Sequence, residues 1–292
     1  MKSKTIYGFM IMSAVFWAGA FIAAKLSAPY ITPFTLTFLR FSIATVILYF
    51  ILKYYFNTDL RITKKDIPSF LFTGIVGMFG YHVLFFVAMK ETTAINSSLI
   101  AASNPILTTI FSIILLKDSP SYKRILGILL SFTGVVLTIT NGNISNLINL
   151  KFNIGDIIML LAVLMWGIYS VFSKRIMPKY NPFLITFYSF LICTIFIIPF
   201  VIYENPFSYF SKVPNYSIIA VVYMAIFPTV IGYLVQQISI KEIGPSKTSI
   251  FVNLVPVFSI ILSVLILHET ISWVKLSFAL LIISGVYITQ RN

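Results

Sequence analysis

Ten apolar runs divide this chain, at roughly 6–24, 33–51, 68–89, 92–116, 123–140, 154–172, 182–203, 216–240, 245–267 and 272–289. Each is about 18 residues or longer, enough to cross a bilayer as a helix. In hydrocarbon an unpaired backbone amide is so costly that a spanning segment must satisfy its hydrogen bonds internally. Ten crossings at about 21 residues each use about 210 residues and leave about 80 for tails and connections, so no soluble domain fits. The charged fraction is 10%, against about 25% in a soluble domain. The expected fold class is therefore an all-α integral membrane protein with ten transmembrane helices. The first run follows Lys2 and Lys4 but is too long for a signal-peptide core, so it reads as an uncleaved first helix.

The charges set the orientation. Fifteen of the 21 Lys and Arg fall on one side of a ten-span layout, five (Lys25, Lys90, Lys151, Lys212 and Lys275) on the other, and Arg40 inside the second run. That bias places both termini in the cytoplasm and reads the net charge of +13 as a topology signal, not a nucleic-acid surface. No G-x-x-x-x-G-K-[ST] loop is present, so the chain does not hydrolyse nucleotide through a phosphate loop. Cys193, the one cysteine, forms no intrachain disulfide or thiolate metal cluster.

The chain repeats itself. Trp17, Lys25, Pro29, Pro33, Phe34 and Phe38 recur 149 positions on as Trp166, Lys174, Pro178, Pro182, Phe183 and Phe187. Lys90, Glu91, Ser98, Pro105, Asp118, Gly134 and Val135 recur 151 positions on as Lys241, Glu242, Ser249, Pro256, Glu269, Gly285 and Val286. This divides the chain into two five-helix units, 1–141 and 142–292. Five is odd, so the second copy enters the membrane upside down, the inverted repeat of many secondary transporters.

The segments FWAGAFIAAKLSAPYITPFTLTFLRFSIA at 16–44 and AMKETTAINSSLIAASNPILTTIFSIILLKDSPSYKRILGILLSFTGVVL at 88–137, with the counterpart of the latter in the second half, resemble the EamA-type members of the drug/metabolite transporter superfamily over nearly the whole chain. The resemblance implies a multi-pass plasma-membrane carrier that exports an amino acid or similar small amphipathic metabolite by alternating access. It also implies a central cavity lined by spans one, three, four, six, eight and nine. The family's L-G-E after spans four and nine stands here as Leu116, Lys117, Asp118 and Leu267, His268, Glu269, so its glycine is replaced twice.

Within the spans, the candidate substrate-binding residues are Trp17, Arg40, His82, Asn96, Asn104, Trp166, Tyr169, Tyr233, Gln236, Gln237 and Asn253. Arg40 lies about 10 Å of helix rise inside span two. At that depth a cation serves a bundle interior or water-filled cavity, or else snorkels or anchors packing; both readings stand. His82, whose repeat partner is Tyr233, is either a proton-coupling group or a neutral, hydrogen-bonded packing residue. Amides must turn from lipid, whether toward a solute or toward another helix. Pro105 and Pro256 match across the halves, and Pro228 opposes Gly77; each proline frees a carbonyl four residues back and marks a candidate break or gate.

All eight acids lie in loops or at span ends, so a buried midplane carboxylate does not carry protons here. Facilitated diffusion or exchange with a counter-solute is the simpler expectation, with proton coupling left to His82. The spans supply no nucleophile with a base and no paired carboxylates, so an enzyme is not expected, nor any cofactor or metal. The alternative function on this scaffold is a flippase for a lipid-linked sugar or other amphiphile.

Overall fold

The computed structural model describes residues 3–116, 121–143, 153–243, 251–252 and 254–290, and these form helices without strands. Numbered in chain order, the apolar helices are α1 (Ser3–Ser27), α2 (Pro33–Tyr55), α3 (Ile67–Glu91), α4 (Ala94–Leu115), α5 (Tyr122–Ile139), α6 (Ile154–Ile176), α7 (Pro182–Glu204), α8 (Asn215–Ser239), α9 (Leu254–Leu267) and α10 (Trp273–Gln290). Helices α1 to α4 and α6 to α8 are long and apolar enough to cross a membrane, and α5, α9 and α10 are shorter apolar helices. Large apolar side chains such as Val46, Leu129, Ile195 and Leu265 stand exposed, a surface that water would penalise and lipid would not.

Helix starts follow local chemistry. Proline opens α2 and α7, where its missing N–H costs nothing. Asn153 and Asn181 each cap the following helix, accepting from Gly155 N and Phe183 N at 2.7 and 3.0 Å. Two distant carboxylates cap other starts: Glu204 accepts from Phe34 N (3.2 Å) and Thr35 N (2.8 Å) at the head of α2, and Glu269 accepts from Ala94 N (2.9 Å) and Ile95 N (3.2 Å) at the head of α4. A negative group belongs at a helix N-terminus, where free N–H groups and the macrodipole both favour it.

Glu269 reaches α4 because α9 stops sharply. Its last turn closes with Glu269 N donating to Ser263 O at 3.2 Å, and the preceding residue, His268, has φ +53°. That is the left-handed end position at which glycine is preferred, which explains what the glycine of L-G-E would do there. His268→Gly removes a penalty of about 1–2 kcal/mol and returns about 0.4–1 kcal/mol of unfolded-chain entropy. A net gain of roughly 0.5–1 kcal/mol is expected, read as a higher melting temperature in detergent.

The packing partners exchange in pairs. Helix α2 lies along α7 and α5 along α10; α1 meets α9 as α6 meets α4; α3 meets α6 as α8 meets α1; α7 meets α3 as α2 meets α8. Replacing every helix by the one five places along leaves this pattern unchanged. Close approach of α5 and α10 uses Gly134, where an added Cβ would lie 2.6 Å from the Ile282 side chain.

At one end, Asp66 ties the turn before α3 to the α6–α7 connection. Its carboxylate accepts from Lys179 Nζ (2.8 Å), Thr63 N (2.8 Å) and the Tyr180 hydroxyl (2.7 Å). The Lys179 ammonium, followed by these other donors, holds the Asp66 carboxyl well below the usual range, and Asp66 pushes Lys179 up to about 12. A depressed carboxyl stabilises the fold above its unfolded pKa of about 4 and loses that contribution as pH falls. The raised lysine contributes below about 10.4 and loses its contribution as pH rises toward 12. Melting temperature should therefore fall between about pH 5 and pH 2 more steeply in the native protein than in Asp66→Asn. Parallel acid limbs would show that this contact contributes nothing.

Candidate functional site

Helices α3 and α8 each contain a π-helical stretch, Thr73–Gly80 and Ala225–Ile231. Shifted by 151 positions these nearly coincide, and each lies just before residues that face the interior. Such wide turns are rare and concentrate at functional sites. In α8 the cause is visible. Pro228 cannot donate to the Met224 carbonyl, and the Thr229 hydroxyl takes over that acceptor at 2.6 Å. Trp17 Nε1 donates to the Pro228 carbonyl at 3.1 Å, bringing α1 against the same turn.

Arg40 meets this turn from α2. It is 4% exposed, and its Nε donates to Thr229 Oγ1 at 2.5 Å. Its repeat partner Ser189 likewise approaches the π stretch of α3, donating to Thr73 Oγ1 at 2.7 Å. The two ion pairs found among the described residues, Arg61 with Asp59 and Lys179 with Asp66, do not involve Arg40. Arg40 is thus an inward-facing cation held by a neutral hydroxyl.

His82 is engaged at both ring nitrogens. Nδ1 lies 2.9 Å from the Met78 carbonyl, which only accepts, so Nδ1 carries the hydrogen; Nε2 lies 3.1 Å from the Tyr233 hydroxyl. Both ring nitrogens are thus hydrogen-bonded inside the protein. His82 and Tyr233 are also repeat partners, 151 positions apart. Thr45 and Thr194, 149 apart, meet in the same way at 3.5 Å between α2 and α7. Both contacts join residues that correspond between the two halves of the sequence.

Beside the His82–Tyr233 pair lies a cavity of about 80 Å³. Seven of the predicted residues line it: Trp17, Arg40, His82, Asn104, Trp166, Tyr233 and Gln236. Rings form much of its wall, with Trp166 4.9 Å from Tyr81, 5.2 Å from Tyr169 and 5.4 Å from Tyr233 between centroids.

Other predicted residues lie elsewhere. Tyr169 and Gln237 sit behind the wall, joined by a 3.4 Å hydrogen bond. Asn96 is drawn to one end, where its amide nitrogen donates to Asp156 Oδ2 (3.2 Å) and its oxygen accepts from Lys275 Nζ (2.9 Å). Thr92 Oγ1 also donates to this buried carboxylate, at 2.5 Å. Asn253 lies outside the described residues. Pro105 does not kink a continuous helix: α4 breaks at 102–103 and resumes at Asn104, so Pro105 takes the first turn of the new segment. Pro256 is buried near the described start of α9.

The sequence reading missed Phe21, Tyr81, Phe85 and Ser98, which also line the cavity. Helical spacing held the signal, since Phe21 is four residues after Trp17 and Phe85 three after His82.

The profile of the EamA-like transporter family matches residues 4–140 and again 153–291. An uncharacterized transporter of Bacillus subtilis, YyaM, is 35% identical over 90% of this chain and 86% of its own. An uncharacterized transporter of Archaeoglobus fulgidus is 27% identical over 100% of this chain and 99% of its own. A crystal structure of a protein 21% identical in sequence shares the fold, with TM-score 0.68 over 98% of this chain and 97% of that one.

Proposed function

This chain belongs to the EamA-like transporter family and is a membrane transporter, and from that premise we propose how it works and what it carries. The ten apolar helices cross the bilayer as two inverted units, 1–141 and 142–292, with both termini in the cytoplasm. The pairwise exchange of packing partners and the contacts between repeat partners support this arrangement. The two units exchange conformations around the central cavity, giving access to each side of the plasma membrane in turn.

The solute is a small amphipathic metabolite, an amino acid or similar molecule, carried outward. The observation that carries this reading is a small cavity between helices of both units, walled by aromatic rings and holding one buried cation. Rings cover an apolar body, and Asn104, Gln236 and Arg40 meet polar groups. A cavity of about 80 Å³ is below the usual range of roughly 300–1,000 Å³ for occupied ligand sites, as suits a constricted member of the cycle. A lipid-linked sugar would call for several basic residues along its path, and Arg40 is the only one among the described lining residues.

Counterflow in proteoliposomes with a panel of labelled metabolites tests this. At least one solute is expected to exchange, more slowly in Trp17→Ala, which removes both a wall and the donor to Pro228. A panel that never exceeds empty vesicles would overturn the carrier reading. Because His82 is tied up at both nitrogens, an imposed pH gradient is expected to drive no accumulation. Accumulation that vanishes in His82→Gln would restore the histidine as a proton site.

A further inference from the structure

Four acids are engaged at helix ends. Asp66 binds Lys179 at the base of α3, Glu204 caps α2, Glu269 caps α4, and Asp156 is buried with Thr92 and Asn96. None of the chain's acids appears among the described lining residues of the cavity, which do include Arg40. The hydrogen bond from Arg40 Nε ends on Thr229 Oγ1, whose own proton goes to the Met224 carbonyl, so this chain of donors contains no negative charge. A cation at that depth is stable only with a compensating partner, and the molecule supplies neutral ones.

We propose that the cavity selects solutes by net charge, taking small organic anions such as hydroxy acids in preference to the zwitterionic amino acids of the same shape. The inference rests on the carrier reading and moves its substrate from the amino acids themselves to similar molecules that carry net negative charge. A carboxylate placed against Arg40 supplies the missing counter-charge, and an α-ammonium a few ångströms farther on meets the same guanidinium as repulsion. At about 7 Å and an effective dielectric of about 20, that repulsion corresponds to roughly 10- to 50-fold in affinity. A free aromatic face would offset part of it.

Matched pairs that differ only by hydroxyl in place of ammonium isolate this effect: lactate against alanine, and phenyllactate against phenylalanine. In counterflow with the native protein, the hydroxy acid of the better-fitting pair should show a half-saturation at least about tenfold lower than its amino acid. Arg40→Lys should keep that order, and Arg40→Gln, checked as monodisperse in detergent, should erase it. An amino acid equal to or better than its hydroxy acid overturns the charge assignment and leaves the carrier reading standing. So does an order that Arg40→Gln preserves. Absence of exchange for both pairs and for the wider metabolite panel overturns the carrier reading and the assignment together. Exchange confined to other members of that panel is scored by the same rule: anions first supports the assignment, zwitterions or cations first refutes it.

Discussion

Asp156→Ala is expected to destabilise the folded protein by about 3–5 kcal/mol. Asp156 is 0% exposed in the first turn of α6, and it collects donors from outside that helix. Thr92 Oγ1 and Asn96 Nδ2 bond to it directly, at 2.5 and 3.2 Å. Lys275 of α10 donates to the Asn96 oxygen at 2.9 Å, and Lys25 of α1 donates to the Thr92 carbonyl at 2.6 Å. Removing the carboxylate leaves a hydroxyl and an amide unsatisfied and takes a negative charge away from Lys275. The cost exceeds that of a typical surface ion pair because the Thr92 hydroxyl and the Asn96 amide are buried away from water. Asp156→Asn keeps the shape and one acceptor, so it should cost roughly 1–3 kcal/mol. Thermal unfolding in a single detergent reads both, and an alanine variant that melts with the native protein would refute this account.

The second large effect is expected from Gly77→Leu. Gly77 lies in the π stretch of α3 against Tyr169, and a Cβ there would lie 2.3 Å from the tyrosine ring. Backbone holds one side of this contact and a buried ring the other, so neither yields cheaply, and overpacking of about 1–3 kcal/mol or more follows. The displaced ring is the one that holds Gln237 and packs on Trp166, so the cavity wall moves with it. Counterflow should drop to the background of empty vesicles while part of the protein still folds. Gly80→Ala is the contrasting substitution. A Cβ there meets nothing closer than the Ile75 carbonyl at 3.3 Å, and transport should persist.

Much of the helical order was legible because hydrocarbon enforces it: a run that must bury its own backbone and face lipid has to be long, apolar and helical. The repeat was legible because Trp17 and Trp166, or Pro105 and Pro256, keep their spacing while loops vary. Seven of the cavity residues could be named from polarity and depth alone. What the sequence hid was azimuthal and long-range. Tyr169 and Gln237 are deep and polar yet sit one layer behind the wall, a distinction that depends on how α6 and α8 are turned. Asn96 looked like a solute ligand because nothing local announces Asp156, 60 residues away, as its partner. The π stretches have no residue pattern of their own, although Pro228 marked one. His268 appeared as a departure from a glycine motif, and only its φ shows what the glycine position does.

His82 and Tyr233 hold equivalent positions in the two halves and meet each other. A point on a two-fold axis maps onto itself when the two units trade shapes, so a bond made there can survive that exchange intact. Bonds made away from the axis must be surrendered at one mouth and re-formed, by equivalent groups, at the other. The cluster around Asp156 has no chemical twin, since the position 149 residues earlier is Tyr7. In the proposed cycle the histidine–tyrosine pair is the fulcrum, and the Asp156 cluster on one side of it has no equivalent on the other.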